Sequence, residues 1–253
     1  MRADKFFALR FGSRTKAADA LRRGLVLKNG RPLAPDDEVK EFDSFEFPPP
    51  KEQYVSNGGY KLARGLDTFG QDVFGGVFCD LGASTGGFTD CLLQRGAKSV
   101  VCVDVGESQL DPSLVADPRV VVMDNTNARY LTREALPFAV DGVVSDLSFI
   151  SLELILPAVA QLLPSHGSAF LLFKPQFECG GKGLGKRGIL PVSRHNALLD
   201  RFYDHAAALF LMPRGIVNAP LRPQKNVEYV VFLEKDGTAL PKYRFLEQAA
   251  HLV

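Results

Sequence analysis

Residues 77–93 read VFCDLGASTGGFTDCLL, an apolar strand that runs into a glycine-rich turn and leaves it as an amphipathic helix. Val77, Phe78, Cys79 and Leu81 are apolar on both faces, as in a buried strand of parallel type, and the strand ends near one acid, Asp80. Gly82, Gly86 and Gly87 permit a sharp turn and a close approach of backbone to ligand, while Phe88, Cys91, Leu92 and Leu93 give the helix its inward face. Peptide N–H groups and a helix N-terminus then point at whatever lies beyond the strand.

The spacing sorts the candidate ligands. A dinucleotide fingerprint needs G-x-G-x-x-G, but the second glycine is replaced here by Ala83 or Ser84. A Walker loop needs Lys-Ser or Lys-Thr after its glycines, and none follows. Asp80-x-Gly82-x-x-x-Gly86-Gly87-Phe88 instead resembles motif I of S-adenosylmethionine-dependent methyltransferases, in which the amino-acid end of the cofactor lies along the loop. Taken alone, the stretch is also compatible with a tight strand-to-helix turn that binds nothing.

Three further strand ends strengthen the ligand reading. A strand over 99–105 carries Asp104, about twenty residues past the loop, where a carboxylate can accept hydrogen bonds from both ribose hydroxyls of a nucleoside cofactor. A strand over 119–123 precedes Asp124, placed to receive an adenine amino group, and a strand begun at 141–144 precedes Asp146. Each aspartate alone could be a helix cap. Their recurrence at the carboxyl ends of successive strands is where an open α/β sheet holds its ligands. A helix over 151–163, a fifth strand over 168–173, a core helix striped by Leu199, Phe202, Tyr203, Ala206 and Phe210, and closing strands over 215–219 and 227–234 complete the body. A short helix is expected from residue 242.

The 253 residues, 46% hydrophobic and 23% charged, suit one large α/β domain and a small one. The four cysteines show no C-x-x-C spacing, and Cys79 and Cys102 fall inside expected strands, so they read as reduced core residues of a cytoplasmic protein. The histidines have no ligand spacing, and no metal is expected. The apolar start at Phe6 is cut by Arg10, and no apolar run approaches the ~18 residues of a membrane span.

The net charge of +1 hides an asymmetry. Residues 1–31 hold nine Lys and Arg against Asp4 and Asp19, a basic module on a mildly acidic body. Helices are expected over 2–10 and 15–23, stopped by Gly24, followed by a strand over 25–27 and an Asn29-Gly30 hairpin turn. The cations Arg2, Lys5, Arg14, Lys16, Arg22, Arg23, Lys28 and Arg31 suit phosphate contacts, and a solvated basic face is the alternative. Lys182, Lys186 and Arg187 add a cationic, glycine-rich loop beside the strand ends.

Arg2-x-Asp4-Lys5, Ser13-Arg14-x-Lys16-Ala17 and Gly24-Leu25-Val26-x-x-Asn29-Gly30 resemble the small RNA-binding domain of ribosomal small-subunit protein four. Gly58-Gly59-Tyr60-Lys61-Leu62, the loop at Asp80, Thr126-Asn127-Ala128-Arg129, Ser145-Asp146-Leu147-Ser148-Phe149-Ile150-Ser151 and Lys174-Pro175-Gln176-Phe177-Glu178, in this order, resemble the TlyA family. In that family such a domain precedes an FtsJ-like ribosomal RNA 2′-O-methyltransferase domain.

The resemblance implies a Rossmann-like class I methyltransferase α/β sheet, mostly parallel with one antiparallel strand, behind a small α+β RNA-binding domain. It divides the chain into an RNA-binding domain at 1–46, a linker at 47–59 that is stiffened by three prolines, a methyltransferase domain at 60–240 and a tail at 241–253. It implies a Lys-Asp-Lys-Glu tetrad at Lys61, Asp146, Lys174 and Glu228, with Lys174 either the base or a donor that orients the hydroxyl. S-adenosyl-L-methionine would be held by Asp80, Gly82, Ser84, Gly86, Gly87, Phe88, Asp104, Asp124 and Asp146. The expected partner is RNA, in ribosomal RNA or ribosomal subunits, with no DNA and no membrane. Two other classes compete with this reading: a non-catalytic RNA-binding or ribosome-assembly protein with a vestigial pocket, and a membrane-lytic protein of the kind the family's older name, hemolysin, suggests. Asn57, where family members often have Arg, and the approach to Glu228 through Arg222 depart from the family pattern.

Overall fold

The computed structural model describes residues 1–22, 24–40, 42–47, 54–185, 187–220 and 225–252, with the backbone alone at Lys16 and Asp19. Arg23, Lys186, Arg222 and residues 48–53 of the proline linker, singled out above, lie outside the described residues. The chain divides into two compact units, Met1–Gln53 and Tyr54–Val253.

The first unit holds α1 (Ala3–Phe6), α2 (Arg14–Arg22) and a small sheet of β1 (Leu27–Lys28), β2 (Arg31–Pro32) and β3 (Phe45–Glu46), with β1 central and antiparallel to both neighbours. Asn29 and Gly30 both adopt positive φ, 52° and 74°, as a two-residue type I′ hairpin turn requires. The helix expected over 2–10 closes after Phe6 and continues as turns. Phe7 turns inward with Ala3, Ala17, Leu21 and Val26, its ring 4.9 Å edge-on from Phe45, so the aromatic run serves the core.

The second unit runs α3 (Gly58–Phe69), β4 (Val77–Leu81), α4 (Gly87–Gln94), β5 (Ser99–Val103), α5 (Pro112–Val115), β6 (Val120–Met123), β7 (Gly142–Ser145), α6 (Leu156–Leu162), β8 (Ser168–Phe173), α7 (Pro175–Glu178), α8 (His195–Ala208), β9 (Leu211–Asn218), β10 (Tyr229–Lys235) and α9 (Lys242–Ala250). Its seven strands lie in the order β6-β5-β4-β7-β8-β10-β9. Strands β4 to β8 pair in parallel, and β10 runs antiparallel to both β8 and β9.

The period of two explains why these strands are apolar throughout. Cys79, Leu81, Val101, Val103 and Val143 enter one core, with Leu156 and Val159 of α6, Leu199 and Phe202 of α8 and Phe245 of α9. Phe78, Val100, Cys102 and Val144 enter the other, with Leu62 and Leu66 of α3 and Cys91 and Leu92 of α4. Each such fully buried Leu or Phe contributes roughly 1.5–3 kcal/mol of hydrophobic stabilisation.

The helix expected over 151–163 is broken into a 3₁₀ turn at Leu152–Leu154 and α6. Pro157 stands in the first turn of α6, where its missing N–H has no carbonyl to bond, so it opens a helix and does not continue one. From β4 the chain builds β5 and β6 on one side, then returns to build β7 and β8 on the other. The strand order therefore reverses between β4 and β7, and a crevice opens at their carboxyl ends.

Candidate active site

That crevice is a cleft of about 830 Å³, the size of an ordinary small-molecule site. Its wall includes Asp80, Gly82, Ser84, Gly87 and Phe88 from the first loop, Asp104 and Gln109 beyond β5, and Thr126 and Asn127 beyond β6. Lys61, Asp146, Ser148, Lys174 and Glu228 line it as well.

The turn after β4 is shaped by what presses on it. Gly82 has φ 79°, and a Cβ there would stand 2.6 Å from the Leu147 side chain. Gly87 opens α4 directly against α3, where a Cβ would meet the Gly59 amide nitrogen at 2.9 Å. Gly86 departs from its expected role: it is absent from the cleft wall, and its open side is filled by Leu114 and Leu110. The glycines of this loop are thus set as much by packing as by ligand access.

Asp80 is buried, and its Oδ2 accepts from the Thr89 amide at 3.1 Å and the Thr89 hydroxyl at 2.7 Å. Oδ1, also buried, has no hydrogen-bond partner among the described residues. Burial pushes this carboxyl up to about 7, against the two Thr89 hydrogen bonds and with smaller repulsion from Asp146 and Asp104. An orphaned buried carboxylate oxygen at the wall of a cleft fits a cationic ligand group such as an α-ammonium.

Asp104 accepts from the Ser84 amide on Oδ2 and the Gly106 amide on Oδ1, both at 2.8 Å, and so holds Ser84 at its left-handed φ of 48°. Each oxygen keeps a lone pair for a hydroxyl in the cleft. Asp124 departs from expectation. Its carboxylate accepts from the Ser108 amide at 2.9 Å and is absent from the cleft wall, where Thr126, Asn127 and Gln109 stand. An aspartate at a strand end serves a loop amide as readily as a ligand, and sequence does not separate the two uses.

Four charged side chains meet at the other end of the cleft. Lys61, from α3, lies 3.1 Å from Asp146 Oδ2 and 2.8 Å from Glu228 Oε2. Lys174, just past β8, lies 2.7 Å from Asp146 Oδ1. The antiparallel register pairs Tyr229 with Phe173, which sets Glu228 beside Lys174 at the same sheet edge. Lys174 is the most enclosed of the four, with 6% of its side chain exposed, and the others range from 15% to 22%. Opposed charges gathered in a partly enclosed cleft are an expensive way to gain stability, so the cluster points to chemistry. Lys174 Nζ also donates to Ser148 Oγ at 2.8 Å and to the Asp146 carbonyl at 3.4 Å. Beside it, Phe149 is 90% exposed, its ring 5.0 Å from that of Phe177.

The FtsJ-like methyltransferase family model matches residues 54–235. The 16S/23S rRNA (cytidine-2′-O)-methyltransferase TlyA of Mycobacterium tuberculosis is 40% identical over 244 residues, covering 94% of this chain and 91% of the relative. The chain belongs to the FtsJ-like methyltransferase family. Hemolysin A of Brachyspira hyodysenteriae is 36% identical over 226 residues, with 86% of this chain and 92% of that protein covered. A solved Streptococcus thermophilus chain named as a hemolysin superposes with a TM-score of 0.75 at 34% identity, over all of this chain and 95% of its own.

Ahead of the FtsJ-like domain, the basic module is partly committed to its own fold. Asp4, buried in the first unit, accepts from Arg2 at 3.1 Å and from Arg14 at 3.0 Å, and Lys28 lies 2.6 Å from Asp43. The acids of residues 36–52 belong to the same unit and reduce its net charge to +2. Lys5, Arg22 and Arg31 are exposed. In the FtsJ-like domain, Lys182 and Arg187 are exposed on the glycine-rich loop. Among the described residues no helix is long and apolar enough to cross a membrane, and no cluster of three or more His, Cys, Asp and Glu could hold a metal.

Sequence reasoning missed Ser148, Gln109 and Asn127 as cleft residues. A Ser two positions after a catalytic-type Asp was a visible signal for the first, and loop geometry alone reveals the other two.

Proposed function

We propose that this chain transfers the methyl group of S-adenosylmethionine to a ribose 2′-hydroxyl of ribosomal RNA. The observation that carries the reading is the meeting of Lys61, Asp146, Lys174 and Glu228 in the cleft that also holds Asp80 and Asp104. The M. tuberculosis relative, named for that reaction and matched over nearly its whole length, supports it.

The cofactor supplies a methyl group already activated by sulfonium. Asp80 would hold its α-ammonium and Asp104 its ribose, which leaves alignment of the acceptor hydroxyl and control of one proton to the tetrad. The acceptor oxygen would take the methyl group from the cofactor's sulfur, and the tetrad would receive the hydroxyl proton. Asp146 holds both lysines, and Glu228 fixes Lys61 from the far side, so Lys174 is the amine with its approach determined. Lys174 orients the hydroxyl through an N–H, or takes its proton after first losing its own. RNA is drawn by the exposed cations Lys5, Arg22, Arg31, Lys182 and Arg187. A ribosomal substrate places the enzyme in the cytoplasm.

The test is transfer of labelled methyl groups to purified bacterial ribosomal subunits, with the modified nucleotide mapped by 2′-O-sensitive cleavage. Label on a ribose oxygen supports the reading. Tight RNA binding without transfer would favour the assembly-factor alternative, and label on a base would overturn the choice of acceptor.

A further inference from the structure

Ser148 is a neighbour of Lys174 that neither the tetrad nor the cofactor loop accounts for. Its Oγ accepts from Lys174 Nζ at 2.8 Å, and it lines the cleft. The other oxygens around that nitrogen both belong to Asp146, Oδ1 at 2.7 Å and the main-chain carbonyl at 3.4 Å. Asp146 Oδ1 meets the ammonium as an ion pair without a hydrogen bond, and the bond to the carbonyl is long, so the Ser148 hydroxyl accepts the shortest hydrogen bond that Lys174 makes among the described residues. Without the Ser148 hydroxyl, the amine keeps only the long bond to the Asp146 carbonyl and the ion pair with the Asp146 carboxylate, both on one residue, and is free to turn about it.

Ser148 is itself held in place. The next residue, Phe149, has φ 63°, in the left-handed region that bulky residues rarely adopt. Further along, the buried Glu178 carboxylate accepts from the Ser151 hydroxyl at 2.5 Å and from the Leu152 amide at 2.9 Å. Burial raises this carboxyl above the usual range, against those two hydrogen bonds. Glu178 ends α7, which begins directly after Lys174. The stretch bearing Ser148 is therefore tied at two points to the stretch bearing Lys174, through Ser148 at one and Glu178 at the other.

Ser148 also differs in kind from the other acceptors. A carboxylate and a carbonyl only accept, whereas a hydroxyl donates and accepts. While its oxygen receives the Lys174 N–H, its own hydrogen is available to the cleft.

We infer that Ser148 is a positioning residue for methyl transfer, setting the direction of Lys174 Nζ toward the acceptor hydroxyl. The inference rests on the ribose-methylation reading above. The experiment compares wild type, Ser148→Ala and Ser148→Thr in methyl transfer to bacterial ribosomal subunits over a range of subunit concentrations under saturating cofactor. Calorimetric S-adenosylmethionine affinity and thermal midpoint are measured on the same preparations.

Ser148→Ala is expected to lower kcat roughly tenfold to a hundredfold, the scale on which misalignment of a catalytic group acts. KM for subunits, cofactor affinity and the thermal midpoint are expected to stay near wild type. Ser148→Thr, which retains the hydroxyl, is expected to recover most of the rate. Ser148→Ala turnover within threefold of wild type would overturn the inference, as would a Thr variant as slow as the Ala variant. If wild type itself transfers nothing to a ribose, the parent reading fails first, and the wild-type lane shows it.

Discussion

Replacing Asp80 by Asn tests the cofactor end of the cleft through its proton. The Asp80 carboxyl is pushed up to about 7, chiefly by burial. If the α-ammonium of S-adenosylmethionine docks on the orphaned Oδ1, only the ionised carboxylate attracts it. With a midpoint of about 7, about one molecule in ten is ionised at about pH 6 and about nine in ten at about pH 8. Apparent affinity should therefore rise roughly tenfold, or about 1.4 kcal/mol, across that interval, and binding at the lower pH should release close to one proton. Calorimetry in two buffers of different ionisation enthalpy reads both quantities. Asp80→Asn carries no charge at any pH, so its profile reports the ligand's own ionisation and serves as the baseline. It should bind more weakly and without the Asp80-linked rise. If wild type and Asp80→Asn show the same pH slope and the same proton release, the ammonium does not sit on Asp80. The same proton has a folding consequence. Because the folded carboxyl sits above its ordinary value of 3.8, the native state keeps a proton that the unfolded chain has lost. Stability without cofactor should therefore fall as pH rises from about 4 to about 7, and this fall should be absent in Asp80→Asn.

Lys174→Arg should abolish methyl transfer while calorimetry still detects cofactor binding, because guanidinium neither gives up its proton nor reproduces the amine's contacts with Ser148 and Asp146; wild-type turnover would remove Lys174 from the mechanism. Asp104→Ala should weaken S-adenosylmethionine binding by about 2–3 kcal/mol, since the lost carboxylate both faces the cleft and holds the Ser84 and Gly106 amides; unchanged affinity would mean that the nucleoside lies elsewhere. Changing Lys5, Arg22 and Arg31 together to Ala should flatten the salt dependence of RNA binding by roughly two to three in log–log slope, and an unaltered slope would move the RNA anchor off this face.

Much of the second unit could be read from its residues because its central strands are buried on both faces. Runs such as VFCDL and SVVCV admit few other structures, and an acid or a lysine after such a run lands at one edge of the sheet. Asp146 and Lys174 reach the cleft for that reason, whereas Lys61 comes from α3 and Glu228 from the start of the antiparallel β10. The small hairpin was equally legible, since Asn29 and Gly30 supply the two positive φ angles that its turn needs. What escaped was partner choice at short range. Asp124 and Asp104 follow strands in the same way, yet Asp124 serves the Ser108 amide outside the cleft wall while Asp104 stands on it. Arg2 and Arg14 looked like phosphate ligands, but Asp4 lies buried between them. In both cases the deciding factor is a hydrogen bond to a residue whose place depends on loop conformation, and charge pattern carries no record of it.

The reversed direction of β10 also orders events in time. Because this strand runs against β8, the residue at its start, Glu228, reaches the edge where the other strands end. Glu228 is made 167 residues after its ion-pair partner Lys61. At a synthesis rate of ~5–20 residues per second, that separation lasts on the order of ten to thirty seconds. From the synthesis of β8 until that of β10, β8 has no partner on its far side, and β10 must emerge before it can take its place between β8 and β9. A nascent chain of this protein can therefore complete its α3 and its glycine loop while the cleft still lacks the wall that Glu228 supplies.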